Sequence, residues 1–343
     1  MDKVLVVSTS RKTKGGITAV LKLYEQSQMW QDYHCHWIGT HRDGNRLRKL
    51  WYFGTAVIQF VFLLPFYDIV HIHFSLINSA RRKYPFFKLA KAFGKKIVIH
   101  LHCGSQIDDI WNDIYQYMFD NCDRGILLSE SLKQNVEKHI GKSDKLRVVY
   151  NPCPIISYKS HFEKQNIILF SGTLYEGKGY KDLIGAFAKI AMRHPDWKIV
   201  LAGNGEIEQA SSLASELGIS DQVVLLGWVS GEKKHKAFSE AKALCLPSYA
   251  EGFPMAVLDA WAYGLPVITT PVGGIPDVAR DGENLLLFKP GDIDGLASCL
   301  ERIIDSKEVR VKLGKESRLL AKTVFNLETI TNKLATLYKE LSL

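Results

Sequence analysis

The chain has 343 residues, 46% of them apolar and 23% charged, which is the balance of a globular protein and excludes a disordered or fibrous one. That length exceeds one ordinary core and suits two domains of roughly 150 residues each. The formal charge of +8 is lopsided: residues 1–160 carry 23 Lys and Arg against 13 Asp and Glu, and residues 161–343 carry 21 against 23. A net +10 in the first half favours phosphate-rich partners such as nucleic acid, anionic lipid or a lipid-linked diphosphate.

The first strand is expected at Val4–Ser8, with no cleavage-site pattern around it. Six scattered cysteines with no CxxC pair add to that reading, so reduced thiols and a cytoplasmic location are expected. Lys14-Gly15-Gly16-Ile17 follows the strand as a tight turn with Arg11, Lys12 and Lys14 beside it, a setting for an anion. Trp51–Phe66 carries no charge and is preceded by Arg42, Arg46, Arg48 and Lys49. It is short for a membrane span, which needs roughly 20 apolar residues, and Pro65 breaks it. Lying between two strands, it is expected chiefly as a core helix, with a membrane-surface helix as the second reading.

Further strands are predicted at Ile69–Phe74, Ile97–Leu101, Gly125–Ser129 and Arg147–Tyr150. After a polar linker at Asn151–Gln165 they resume at Ile167–Ser171, Lys198–Ala202, Val223–Leu226, Ala243–Leu246 and Pro266–Thr270. Near-continuous Val, Ile and Leu runs mark strands buried on both faces, and their alternation with helical patterns predicts a doubly wound α/β architecture. The domains are expected at 1–155 and 156–320. A helix over Glu308–Leu343 has its end, 321–343, expected to pack back on the first domain. Two His-x-His pairs, His71/His73 and His100/His102, put both members of a pair on one strand face. No carboxylate or cysteine set completes a zinc-like site, so no metal is expected. Asp292-Ile293-Asp294 reads as a surface loop.

The most informative stretch runs from Leu246 to Pro266. A strand ends near Leu246, a helix is predicted from Pro254 to Tyr263, and Gly264 caps it. That helix is apolar on every side except Asp259, so it should be buried, and a lone buried carboxylate needs a partner. Glu251 lies just ahead of the helix tip, where free backbone N–H groups make an anion site. A capping acid and a structural ion pair account for the same spacing equally well.

The run resembles the E-x7-E element of the retaining glycosyltransferases of family four, with Asp in place of the second Glu. The resemblance implies that Glu251 contacts the transferred sugar and that Asp259 binds the ribose. Gly172-Thr173-Leu174-Tyr175-Glu176-Gly177-Lys178-Gly179 is similar to the family's diphosphate loop: Lys178 matches, and Thr173 stands where the family has arginine. The turn at Gly203-Asn204-Gly205, the segment Gly227-Trp228-Val229 beside the nucleobase, and the loop Pro271–Val278 beside the phosphates follow in the family's order. Gly252, Phe253, Pro254 and Met255 complete the implied donor site, with Gly15 and Gly16 in the first domain. His102 aligns with a histidine near the transferred sugar.

What the resemblance implies overall is a GT-B fold, two Rossmann-like domains facing across a cleft. The implied reaction is a metal-independent transfer from a nucleoside-diphosphate sugar, UDP by default, with no cofactor. The acceptor is expected to be a lipid-linked saccharide of a bacterial surface polysaccharide, with peripheral contact to an anionic membrane and no nucleic acid. A sugar-nucleotide 2-epimerase on the same scaffold and a non-catalytic nucleotide or glycan binder are the alternatives.

Overall fold

The computed structural model describes residues 2–42, 44–104, 107–156 and 162–342. The chain forms two compact units, Met1–Pro152 with Leu327–Leu343, and Cys153–Asn326. The sequence placed the boundaries at 155/156 and 320/321. Part of the expected linker, residues 157–161, lies outside the described residues.

In the first unit the order is β1 (Val4–Ser8), α1 (Gly16–Tyr24), α2 (Gln28–Asp32), β2 (His36–Gly39), α3 (Arg46–Leu63) and β3 (Ile69–Phe74). Then come α4 (Ile77–Ala92), β4 (Lys96–Leu101), α5 (Asp113–Asn121), β5 (Arg124–Leu127), α6 (Glu130–Ile140) and β6 (Leu146–Val148). All six strands are parallel, in the order β2-β1-β3-β4-β5-β6. Parallel pairing needs a crossover between strands, and the intervening helices supply it. Strand alternation sorts the side chains. Leu5, Val7, Val70, Ile72, Ile97 and Ile99 join one apolar cluster with Phe60 of α3, Phe86 and Phe87 of α4, and Met118 and Phe119 of α5. His71 and His73 alternate with Val70 and Ile72 and so face the other side. There the ring of His73 lies 6.5 Å from that of Tyr24 in α1.

The second unit contains β7 (Ile167–Ser171), α7 (Tyr180–Ala188), β8 (Lys198–Ala202), α8 (Ile207–Glu216), β9 (Val223–Leu225) and α9 (Gly231–Glu240). It continues with β10 (Ala243–Leu246), α10 (Met255–Ala262), β11 (Val267–Thr269), β12 (Leu286–Leu287), α11 (Ile293–Asp305) and α12 (Lys307–Lys322). Its six parallel strands are ordered β12-β11-β10-β7-β8-β9. The final helix, α13 (Leu327–Leu341), belongs to the first unit. Tyr33 donates to the Ala335 carbonyl at 2.9 Å, and the Tyr338 hydroxyl meets His71 Nδ1 at 2.6 Å.

Several sequence expectations are corrected. Glu308–Leu343 is two helices, broken at residues 323–326, where Cys153 N–H donates to the Phe325 carbonyl. Asp292-Ile293-Asp294 is a helix start rather than a loop, since Asp292 caps α11 by accepting from Gly295 N–H at 2.8 Å. The segment Trp51–Phe66 is not chiefly a core helix. Up to Leu63 it belongs to α3, which begins at Arg46 behind an Asn45 cap, and of Trp51–Phe66 only Ala56, Phe60 and Leu64 are fully buried.

Candidate functional site

In a parallel sheet the loops leaving the strand C-terminal ends gather on one edge, and ligands of open α/β sheets bind there. In the second unit the residues singled out from sequence all leave that edge. Thr173 and Lys178 follow β7, Asn204 follows β8, Trp228 and Val229 follow β9, and Glu251 to Met255 follow β10. Backbone bonds knit these loops together. Leu174 N–H donates to Asn204 O at 2.7 Å, Tyr249 N–H to Gly177 O at 3.0 Å, and Gly274 N–H to Gly252 O at 2.8 Å. At several points the approach is so close that only glycine fits, two of them with a positive φ around Glu251. A Cβ on Gly179 (φ +68°) would stand 2.1 Å from Pro247 O, and one on Gly273 (φ +60°) would stand 2.3 Å from Gly252 O.

This knitting brings the two most telling side chains into contact. The Lys178 ammonium, at the end of a 3-10 turn, donates to Glu251 Oε1. Ser248 Oγ donates to the same oxygen at 2.8 Å, and Thr270 Oγ1 fixes the Ser248 carbonyl. Ser248 and Thr270 were not singled out from sequence; an isolated hydroxyl carries no pattern, and only the fold shows which carboxylate it meets. The carboxylate is 11% exposed and the lysine 21%, so water screens the pair only partly.

Glu251 stands four residues before α10. That helix starts at Met255, one residue later than expected, because Pro254 keeps an extended ψ of 116° and occupies the cap position. Val257 and Leu258 N–H already bond the Pro254 carbonyl, so the N–H groups of Met255 and Ala256 are the ones that precede the helical ladder. Gly252 is half-buried and Phe253 buried, while Thr173, Asn204 and Trp228 are exposed and Val229 is half-buried. Phe253 packs its ring 5.0 Å from Phe325 and 6.0 Å from Trp261, anchoring the loop to the core.

Asp259 is buried and does find a partner, Lys234 of α9, whose Nζ lies 2.6 Å from Oδ2. Burial raises the Asp259 pKa, and the Lys234 ammonium opposes that rise. The α9 lysine could not be matched to Asp259 from sequence, because no spacing rule links two separate helices.

In the first unit Gly15 is the cap residue of α1, with φ 150° and an open surround, and Gly16 opens the helix; both are exposed. His102 follows β4. Its Nε2 lies 2.9 Å from His73 Nδ1, so one ring donates and the other accepts. His71, His73 and His100 are buried on β3 and β4, with ring centroids within 6 Å of one another and the rings of His71 and His100 stacked. One ring nitrogen from each lies within 4.8 Å of the others, a grouping that could hold a metal ion. Burial lowers the pKa of His71 and of His102 to about 3 and holds His73 and His100 well below the usual range, so all four rings are neutral. Lys83 of α4 is also buried, donates to Ser79 Oγ at 2.9 Å, and has its pKa lowered by burial to about 7.

Two six-stranded parallel α/β units, one gathering an acid, a lysine and a helix tip at its strand ends, are the architecture of glycosyltransferases with the GT-B fold. Comparison with known proteins agrees. Residues 155–320 match the family model "Glycosyl transferases group 1" and residues 22–155 match "Glycosyltransferase Family 4", so the chain belongs to the group 1 glycosyltransferases.

An uncharacterised glycosyltransferase of Methanocaldococcus jannaschii is 29% identical over 258 residues, covering 69% of this chain and 66% of its own. An α-1,4-N-acetyl-D-galactosaminyltransferase of Campylobacter jejuni, named for a diphosphoundecaprenol-linked acceptor, is 29% identical over 60% of this chain and 56% of its own. The chain thus spans just under two thirds of the one relative and about half of the other. The crystal structure of Anabaena HepE with UDP and glucose superposes with a TM-score of 0.78 over 99% of this chain and 100% of that one, at 16% identity, which speaks to the fold.

Proposed function

We propose that this protein transfers a sugar, with retention of configuration, from a nucleoside-diphosphate sugar to a lipid-linked saccharide during assembly of a bacterial surface polysaccharide. UDP is the expected carrier, and the reaction is placed on the cytoplasmic face of an anionic membrane. The single observation that carries this reading is the Lys178–Glu251 contact beside the tip of α10. A diphosphate entering there draws the Lys178 ammonium to itself and is met by the Met255 N–H. Glu251, released from Lys178 but still held by Ser248, is then free to accept from a sugar hydroxyl. The loop amides at Thr173, Asn204, Gly252 and Phe253 surround the phosphates, and Pro254 sets the helix tip. The Trp228 and Val229 backbone meets the base. For Gly15, Gly16 and His102 of the first unit we keep the roles that the family resemblance implies.

In this mechanism the leaving phosphate helps to deprotonate the acceptor hydroxyl, which attacks from the same face. Glu251 orients the sugar and does not become bonded to it. Support for the donor class comes from the UDP and glucose in the HepE structure, and for the acceptor class from the name of the Campylobacter relative.

The test is a thermal-shift screen of nucleoside diphosphates and their sugars, followed by mass analysis of product formed on a lipid-linked acceptor. UDP is expected to raise the melting temperature most. No stabilisation by any nucleoside diphosphate would mark a non-catalytic protein, and an epimerised nucleotide sugar formed without acceptor would mark an isomerase.

Asp259 gives a second, finer check. Its shorter side chain reaches a ribose only if its other oxygen is free while Lys234 holds Oδ2. Asp259→Asn is expected to weaken UDP binding about tenfold, the loss of one charge-assisted hydrogen bond. The melting temperature should barely move, because a costly buried charge disappears while Lys234, 37% exposed, keeps its water. Unchanged UDP affinity, measured by calorimetry, removes Asp259 from the donor site.

A further inference from the structure

Helix α3 has two apolar faces, and the fold uses only one of them. Phe53, Ala56 and Phe60 pack into the core cluster. On the opposite side Leu47, Leu50, Trp51, Ile58 and Phe62 are 78%, 66%, 72%, 60% and 72% exposed, and Phe66 just beyond the helix is 69% exposed. The spacing of 47, 50, 51, 54, 58, 61 and 62 is that of a single stripe on a helix. From residue 47 to residue 62 it runs about 23 Å at 1.5 Å per residue. At Gly54, where no side chain fills the row, the stripe has a shallow open gap between Leu50, Trp51 and Ile58, with Arg48 at its end. A soluble surface rarely leaves so continuous an apolar stripe uncovered.

The charges identify what covers it. No Asp or Glu occurs in α3, and Arg46, Arg48 and Lys49 are all exposed at its N-terminal end. An apolar stripe with cations at one end and a tryptophan beside them is the pattern of a helix lying in the boundary between headgroups and acyl chains. By length and by hydropathy (1.4 over its 18-residue window) the segment Arg46–Phe66 would also suffice to cross a bilayer. Crossing is excluded by its inner face: α3 packs against β2 and α4 through buried Ala56 and Phe60, and a spanning helix would have to abandon that packing.

We propose that α3 is an in-plane membrane anchor that seats the first unit on an anionic leaflet, with Leu50, Trp51, Ile58 and Phe62 among the acyl chains and Arg46, Arg48 and Lys49 on lipid phosphates. This rests on the membrane-bound acceptor of the reading above and says how the enzyme reaches it.

The experiment uses the full chain with vesicles of phosphatidylcholine alone and of phosphatidylcholine with phosphatidylglycerol, separated by flotation at low salt. Binding to the anionic vesicles is expected, with at least tenfold less to the neutral ones. The double variant Trp51→Asp with Phe62→Asp is expected to lose anionic-vesicle binding at least tenfold. Its melting temperature, and any stabilisation by UDP, should be unchanged, since both side chains are exposed. Wild-type protein that stays off anionic vesicles overturns the proposal, as does a double variant that still binds them. A wild-type dimer that the variant converts to monomer, with no vesicle binding by either, assigns the stripe to a second copy of the chain and also overturns it. Vesicle binding needs no sugar nucleotide, so the anchor can stand even where no nucleoside diphosphate stabilises the protein, and the transferase reading can stand where the anchor fails.

Discussion

Glu251→Gln should lower kcat on the order of a hundredfold or more, the scale on which loss of one charged contact in a pre-organised site is felt. The substitution is close to isosteric and removes only the charge. Ser248 can still donate to the remaining carbonyl oxygen, so the loop should keep its place. The ion pair with Lys178 is lost, but that ammonium is 21% exposed and can turn toward water or toward a diphosphate. The fold should therefore survive with little change in melting temperature. UDP affinity should hold or rise, because the lysine no longer has a competing partner. This split separates the readings. If Glu251 were only a helix-tip acid with a structural partner, the variant would lose stability and keep turnover. Near-normal kcat with an acceptor saccharide would remove Glu251 from the reacting centre. Lys178→Ala should show the reverse pattern, with a raised KM for the donor.

The architecture was legible because it is written in composition that local physics reads directly. Buried parallel strands such as Val4–Ser8 and Ile167–Ser171 are Val, Ile, Leu and Phe runs closed by a single serine, and the structure places strands at those residues. Two strands escaped notice. His36–Gly39 has four residues with only Trp37 and Ile38 buried, and Leu286–Leu287 has two, so neither offers a period to count. Helix α3 misled for a different reason. Apolar content alone predicts burial, but a helix that is apolar on two faces needs a partner for each, and one sheet supplies a partner for one face only.

The site was legible in parts. Glu251, Lys178 and the loops around them stand out because glycines, prolines and charges mark the strand ends in a fixed order. Their supports do not stand out. Ser248, Thr270 and Lys234 act through contacts between segments distant in sequence, and nothing in their local spacing foretells those partners. The histidines were visible as a pattern and their environment was not. His71 and His100 lie within their strands with their side chains in the core, and that placement has its own consequence.

The first unit should lose stability steeply on mild acidification. His71, His73, His100 and His102 are held neutral in the folded chain, two of them with pKa lowered to about 3 and two well below the usual range. In the unfolded chain each returns to about 6.5. Above that pH both states are neutral and the histidines cost nothing. As pH falls below it, the unfolded chain takes up protons that the folded chain refuses, so the folded state loses ground from about pH 6.5 down toward pH 3. Each excluded proton removes about 1.4 kcal/mol per pH unit. Four together approach 5 to 6 kcal/mol by pH 5.5, which is comparable with the whole stability of an ordinary domain. Chemical denaturation between pH 7.5 and pH 5 should therefore give a slope approaching four protons, and a slope below one proton would contradict the neutral cluster. His100→Leu should reduce the slope by about one. Neither of its ring nitrogens has a hydrogen-bond partner, so an apolar side chain of similar size removes an unsatisfied polar group and should raise stability at pH 5.5 by more than at pH 7.5.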